Sequence, residues 1–303
     1  SAAVPATLAS VAATGSGSVT PATFIDGAAT DLSRSYFVTL DAAGRLWTTN
    51  CLNLVGGSGP VLAFNANATG DVAPLVSIAG PNTGLSGCQN GVAVDAAGNL
   101  YVADITNNPP LYPGGQVAVF APGAQGNVAP ARVIAGPAAN LHSPTGLWLD
   151  GAANVYVADS ALGYAGINPD VQVFAAGSAG NVASMRTISG SNTNLAQPEG
   201  IVVDGAGFLY VANDTSDSIT VYGPGASGNV APVRTIAGTL TQLDVPQGLA
   251  VDAAGYLYVG NSDVNKNAPI LVFAPGANGN VPPVQTITIN TPSYAAPAGV
   301  AVH

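Results

Sequence analysis

The chain has 303 residues, 48 % of them hydrophobic, and sets 16 acidic against 6 basic side chains for a formal net charge of −10. With lysine only at Lys266, it lacks the clustered cations that a nucleic-acid surface needs, and an anionic membrane is disfavoured for the same reason. Charged residues make up 7 %, against roughly 25 % in ordinary soluble domains, and 38 glycines with 23 prolines predict many turns and no long helices.

The opening SAAVPATLAS has no basic region leading into a long apolar run, so it is not an intact signal peptide. No uninterrupted apolar stretch reaches the ~18 residues of a membrane-spanning helix. Low charge, abundant Ser, Thr and Asn and two cysteines predict a secreted or cell-surface protein without membrane insertion.

In chain order, residues 7–27 (TLASVAATGSGSVTPATFIDG) predict two strands, near Leu8–Val11 and Ala22–Asp26. Residues 36–50 (YFVTLDAAGRLWTTN) then open a phrase that returns at 91–104, 146–159, 200–213 and 248–261. Each copy is a short apolar run, a turn of Asp, Gly, Ala and Asn, and an alternating run with an aromatic, which is the pattern of a β-hairpin. Its aspartates, Asp41, Asp95, Asp150, Asp204 and Asp252, lie 54, 55, 54 and 48 residues apart. A second phrase follows each hairpin, at 61–80, 117–136, 171–190, 219–238 and 270–289, and predicts another strand pair across a Gly/Pro turn. The repeat is therefore four strands, a to d, in about 50 residues, the period of a propeller blade. The chain's last residues, AGVAVH (298–303), repeat strand a alone.

The pattern P-x-G-[IL]-x-V-D…L-Y-V-[AG]-[DN], as in PEGIVVDGAGFLYVAN (198–213), resembles NHL-type propeller repeats over almost the whole chain. That resemblance implies a six-bladed β-propeller. It leaves function open, because such propellers serve as protein-binding, nucleic-acid-binding and signalling modules, and related ones are lactonases or lyases. The expected architecture is one all-β domain over 1–303, a six-bladed propeller of four-stranded blades. N-terminal strands c and d with C-terminal strand a (1–27 plus 298–303) close the ring, and the other blades lie at about 36–80, 91–136, 146–190, 200–238 and 248–289.

This count leaves the closing blade without strand b. An empty interior slot would strand backbone N–H and C=O groups at about 1–3 kcal/mol each, so it should be filled. Roughly ten further residues of a longer natural chain would fill it, the length of a turn and a strand. Donation of a strand by another copy, which builds filaments, is the second solution. An altered last blade that needs no strand b is the third. Leu8, Val11, Val300 and Val302 would line the slot.

Cys51, just after strand b, and Cys88, in the next d–a connection, fall on the same face of neighbouring blades and are expected to form a disulfide. Only His142 and His303 are present, so a His-rich zinc site is excluded, and no P-loop or Gly-x-Ser-x-Gly elbow appears. NSDVNKN (261–267) lacks the glycine and distal glutamate of an EF-hand loop. Lactonase propellers hold a metal with convergent Glu, Asn and Asp side chains; Glu199 is the one candidate glutamate, and no matching set surrounds it. Asn50, Asp104, Asp159, Asn213 and Asn261 close strand b in every blade and are expected to bond local backbone. Arg132, Arg186 and Arg234 on strand d are expected to guard an exposed edge. Variation concentrates in the b–c loops, where Tyr112 and Tyr164 are candidates for contact with a protein or glycan. Asn67 and Asn213 begin Asn-x-Thr sequons.

The expected function is a secreted, non-catalytic structural or binding module without cofactor or metal, able to self-assemble into filaments by strand donation. The alternative is a lactonase or lyase with a polar central channel.

Overall fold

The computed structural model describes residues 8–10, 17–19, 23–33, 35–53, 57–105, 114–162, 166–262, 269–289 and 299–301, of which 8–10, 17–19, 23, 51–53, 57–58 and 289 are described for their backbone only. Three short N-terminal strands come first: β1 (Leu8–Ser10), β2 (Gly17–Val19) and β3 (Thr23–Ile25). Five four-stranded antiparallel blades follow. Blade 1 holds β4 (Ser35–Leu40), β5 (Leu46–Asn53), β7 (Val61–Phe64) and β8 (Val76–Ile78), with the short β6 (Gly57–Ser58) paired to the end of β5. Blade 2 is β9 (Cys88–Val94), β10 (Leu100–Ile105), β11 (Gly115–Phe120) and β12 (Arg132–Ile134). Blade 3 is β13 (Pro144–Leu149), β14 (Val155–Asp159), β15 (Asp170–Phe174) and β16 (Arg186–Ser189). Blade 4 is β17 (Pro198–Val203), β18 (Leu209–Asn213), β19 (Ser218–Tyr222) and β20 (Arg234–Ala237). Blade 5 is β21 (Pro246–Val251), β22 (Leu257–Asn261), β23 (Ile270–Phe273) and β24 (Gln285–Ile289).

The expectation of six four-stranded blades is therefore corrected to five. The N-terminal strands form a two-stranded sheet, β1 against β3, and β2 leaves it to run parallel to β24 at the outer edge of blade 5. Gly299–Ala301, the expected strand a, carries no strand pairing, and Val302 lies outside the described residues. The physical reason is local. Only five stretches of the chain carry all four strand runs of a blade, and the N-terminal stretch pairs as β1 with β3 among the described residues.

The core is a series of seams between successive blades. Tyr101 and Val117 of blade 2 pack with Leu147 and Phe174 of blade 3, and Tyr156 and Val171 of blade 3 with Ile201 and Tyr222 of blade 4. Trp47 joins blade 1 to blade 2, and Tyr210 joins blade 4 to blade 5. Strand c ends in a large side chain each time, Phe64, Phe120, Phe174, Tyr222 and Phe273, all less than 2 % exposed. Truncating one of these phenylalanines to alanine would cost about 3–5 kcal/mol. At the ends of the series, Ile25 packs on Leu62 and Phe64, and Val300 packs on Ala250, Tyr258, Val272 and Ile287.

A second seam device lies on the c–d turns. The glycine of each Gly-Asn turn bridges in parallel to the isoleucine of the preceding sheet's outer strand: Ile25 with Gly70, Ile78 with Gly126, Ile134 with Gly180, Ile188 with Gly228 and Ile236 with Gly279. The next residue then caps the turn after that strand. Asn127 Oδ1 accepts from Asn82 N at 2.7 Å, Asn181 from Ala138 N at 2.6 Å, Asn229 from Asn192 N at 2.7 Å and Asn280 from Leu240 N at 2.8 Å, with Asp71 serving Ala29 N at 2.6 Å. The capped chain turns through a glycine of positive φ, such as Gly190 at 119°, where a Cβ would collide with the Asn229 side chain. Only glycine fits there.

Candidate functional site: the sheet edge and the channel

The innermost strand of every blade carries a β-bulge, between Ser35 and Val38, at Gln89 opposite Val102–Asp104, and across Pro144/Leu147, Pro198/Ile201 and Pro246/Leu249. A glycine sits in this bulge in blades 2 to 5, where neighbouring inner strands pass backbone to backbone. A Cβ on Gly91 would strike Thr145 O, on Gly146 Glu199 O, and on Gly200 Gln247 O. Gly299 repeats the placement: a Cβ there would lie 2.8 Å from Val38 N and 2.9 Å from Tyr36 O. Residue 299 thus occupies the inner position beside β4, although it forms no ladder.

These strands surround a channel cavity of about 280 Å³, whose lining includes Leu40, Val94, Leu149, Val202, Val251 and Val300. The lining is mostly apolar side chain and strand backbone, with Thr39 among it and no acid or imidazole among its described residues. No group of His, Cys, Asp and Glu suited to a metal occurs among the described residues.

The polar residues that close strand b are not part of this lining and serve the backbone. Asn50 Oδ1 accepts from Ser33 N, Asp104 from Ser86 N and Gly87 N, Asp159 from His142 N and Ser143 N, Asn213 from Ala196 N, and Asn261 from Asp244 N. Each caps the connection that leads into its own blade. Burial pushes the Asp104 carboxyl up despite these donors. Asp170 lies directly across the ladder from Asp159, and both are buried. Burial, and then the Asp159 charge, raise Asp170 to about 8, and its Oδ1 has no hydrogen-bond partner among the described residues. Glu199 is raised to about 8 by burial and the nearby Asp214, and no matching ligand set surrounds it among the described residues.

The strand-d arginines do something the sequence did not disclose. Arg132, Arg186 and Arg234 cross strand c to stack on Tyr101, Tyr156 and Tyr210 of strand b, 5.6–5.8 Å from the ring centroids. Each guanidinium donates to the tyrosine oxygen, at 3.1, 3.0 and 2.9 Å. Tyr101 and Tyr210 in turn donate to Asp95 and Asp204. These rows brace the blade from its outer strand to its a–b turn.

Of the residues singled out from sequence, Tyr112, Tyr164, Val11 and Val302 lie outside the described residues, and Leu8 is described only as backbone in β1. Cys88 opens β9 and Cys51 lies in β5, its side chain outside the described residues. Thr49 Oγ1 donates to Asn90 O at 2.6 Å, two residues from each cysteine, so the two strands approach where the cysteines stand. No free cysteine occurs among the described residues.

The remaining feature is an edge. Each strand equivalent to β1, namely β7, β11, β15, β19 and β23, is hydrogen-bonded on both sides, whereas β1 pairs with β3 alone among the described residues. Sequence reasoning expected an empty strand-b slot in a sixth blade, whereas the described sheets are five blades and the two-stranded sheet of β1 and β3. It missed β2, whose Gly-Ser-Val has no strand pattern and forms because β24 offers it a partner.

Neither a family model nor a curated protein matches the chain. Solved structures do. One is a nidogen/laminin complex (16 % identity, TM-score 0.55, covering 79 % of this chain and 75 % of that one). Another is a protein of unknown function from Bacteroides caccae (13 %, 0.55, 84 % and 81 %). A third is a proposed 6-phosphogluconolactonase from Bacteroides uniformis (16 %, 0.55, 88 % and 75 %). At these identities the likeness is one of fold, and with the blades described above it makes this chain a β-propeller.

Proposed function

We propose that the chain is an extracellular, non-catalytic propeller module with NHL-like repeats, which holds an extended segment of a partner polypeptide. The observation that carries this reading is the edge of β1, unpaired among the described residues where five equivalent strands are central. A row of open N–H and C=O groups is a template for β-augmentation. The non-catalytic half is supported by the channel lining, in which no acid or imidazole occurs among the described residues.

An oxidising compartment accompanies this reading through a Cys51–Cys88 disulfide, for which the Thr49–Asn90 contact supplies the strand placement. Alkylation of the unreduced protein, followed by intact mass, should label neither cysteine.

Hydrogen–deuterium exchange tests the edge. The amides of β1 should exchange far faster in the isolated protein than those of β15 or β19. Protection of β1 as strong as that of β15 would overturn the reading.

A further inference from the structure

Blade 3 departs from its neighbours at one ladder position. The residue opposite the end of strand b is Gln116 in blade 2 and Ser218 in blade 4, but in blade 3 it is Asp170, which faces Asp159. In blade 2 the facing side chain supports the strand-b acid, for Gln116 Nε2 donates to Asp104 Oδ2 at 2.9 Å. Blade 4 sets two neutral residues, Asn213 and Ser218, against each other. Among the described ladders only blade 3 sets acid against acid, and both are buried, Asp170 at 6 % exposure and Asp159 at 1 %.

Asp159 is also a fastening. Its Oδ1 accepts from Ser143 N at 2.7 Å and from Ala161 N at 3.1 Å, and its Oδ2 from His142 N. It thereby ties the turn that enters the blade to the start of the β14–β15 connection, and Ser143 Oγ adds a bond to Leu162 O at 3.0 Å. Three backbone donors support a charge on Asp159, whereas Asp170 Oδ1 has no partner among the described residues. Two carboxylates this close cannot both stay charged out of water, so the proton of the pair belongs on Asp170. The titratable groups that face Asp170 are Asp159 from β14 and, behind it, His142, whose Nδ1 lies 3.6 Å from Asp159 Oδ2. Gln172 on its own strand, which hydrogen-bonds to it, and Ser189 across the ladder in β16 are neutral.

We propose that this cluster is a proton-operated clasp: closed, it carries one proton on Asp170, and loss of that proton frees residues 160–162 from the turn at His142 and Ser143. With both acids charged, one must reach water, and Asp159 does so only by releasing His142 N, Ser143 N and Ala161 N. Burial and then the Asp159 charge, which raise Asp170 to about 8, act in this direction. An opened Asp170 ionises in the ordinary carboxylate range, so closure holds its proton between about pH 4 and pH 8, and the clasp weakens as pH rises through that window. A proton on His142, beside Asp159, also tightens the hold as pH falls. The clasp goes beyond the proposed function: it puts one of the variable b–c connections under the control of pH.

The experiment is amide exchange by NMR on the intact protein from pH 5 to pH 8, corrected for the intrinsic pH dependence of exchange. The opening equilibrium read at Ala161 and Ser143 should grow by about tenfold or more over that range. At Ser33, whose N–H donates to the neutral Asn50, it should stay level. Asp170→Gln, which copies Gln116, should flatten the profile at Ala161 and keep that amide protected at pH 8. Should this variant not fold, Asp170→Asn is read in the same way. A flat profile at Ala161 in the parent protein, or a slope that survives removal of the Asp170 charge, would sink the clasp.

Discussion

Asp170 and Glu199 are acids that the fold keeps protonated near neutrality, each raised to about 8, first by burial and then by a neighbouring carboxylate. Because the folded pKa exceeds the unfolded one, the native state holds the extra protons between about pH 4 and pH 8, and stability falls as pH rises through that window. Asp95 works the other way. Burial would raise it, but donors from Asn99 and Tyr101 outweigh that effect and lower it, so its contribution is lost as pH falls below the ordinary carboxylate range. Thermal unfolding by calorimetry should therefore show a higher Tm at pH 5 than at pH 8, and Asp170→Asn should raise the Tm at pH 8 and flatten the slope. A Tm that climbs from pH 5 to pH 8 would contradict this placement of the two acids. The two sequons also separate at this scale. Asn67 is exposed on a c–d turn, whereas Asn213 is fully buried, with its amide donating to Val211 O and Thr220 Oγ1. Secreted from a glycosylating host, the protein should carry one glycan, and Asn67→Gln should remove it.

Among elements, the Gly-Asn turn does the most to join blades, through one parallel bridge and one side-chain cap per seam. Asn229→Ala deletes the cap on Asn192 N while leaving the strands intact. By analogy with helix caps it should cost about 1 kcal/mol, read as a lowered midpoint in urea unfolding without a change of slope. The inner-strand glycines are less forgiving. A methyl on Gly200 meets the carbonyl of Gln247, which is backbone and cannot swing away. Gly200→Ala should cost about 2 kcal/mol or more, beyond the range of surface substitutions. A stability within 0.5 kcal/mol or so of the parent would show that the inner strands can spread.

At the scale of the molecule, the five blades were legible because each repeats the same alternation and the same turn, and a period of about 50 residues in four strands has few solutions. The capping role of Asn50, Asp104, Asp159, Asn213 and Asn261 was legible for a related reason: one polar residue per repeat at a strand end serves structure. The arginine–tyrosine rows were not, since Arg132 and Tyr101 lie 31 residues apart and meet only because strand c pairs with both of their strands. The sequence by itself determined the hairpins, the glycine turns and a lone strand-a phrase at its end, because these depend on backbone preferences within a few residues. Only the tertiary structure decided that the N-terminal strands make a two-stranded sheet and that β2 crosses to β24. Those outcomes turn on which edges are still unpaired once all the blades are in place, and that is a property of the ring as a whole.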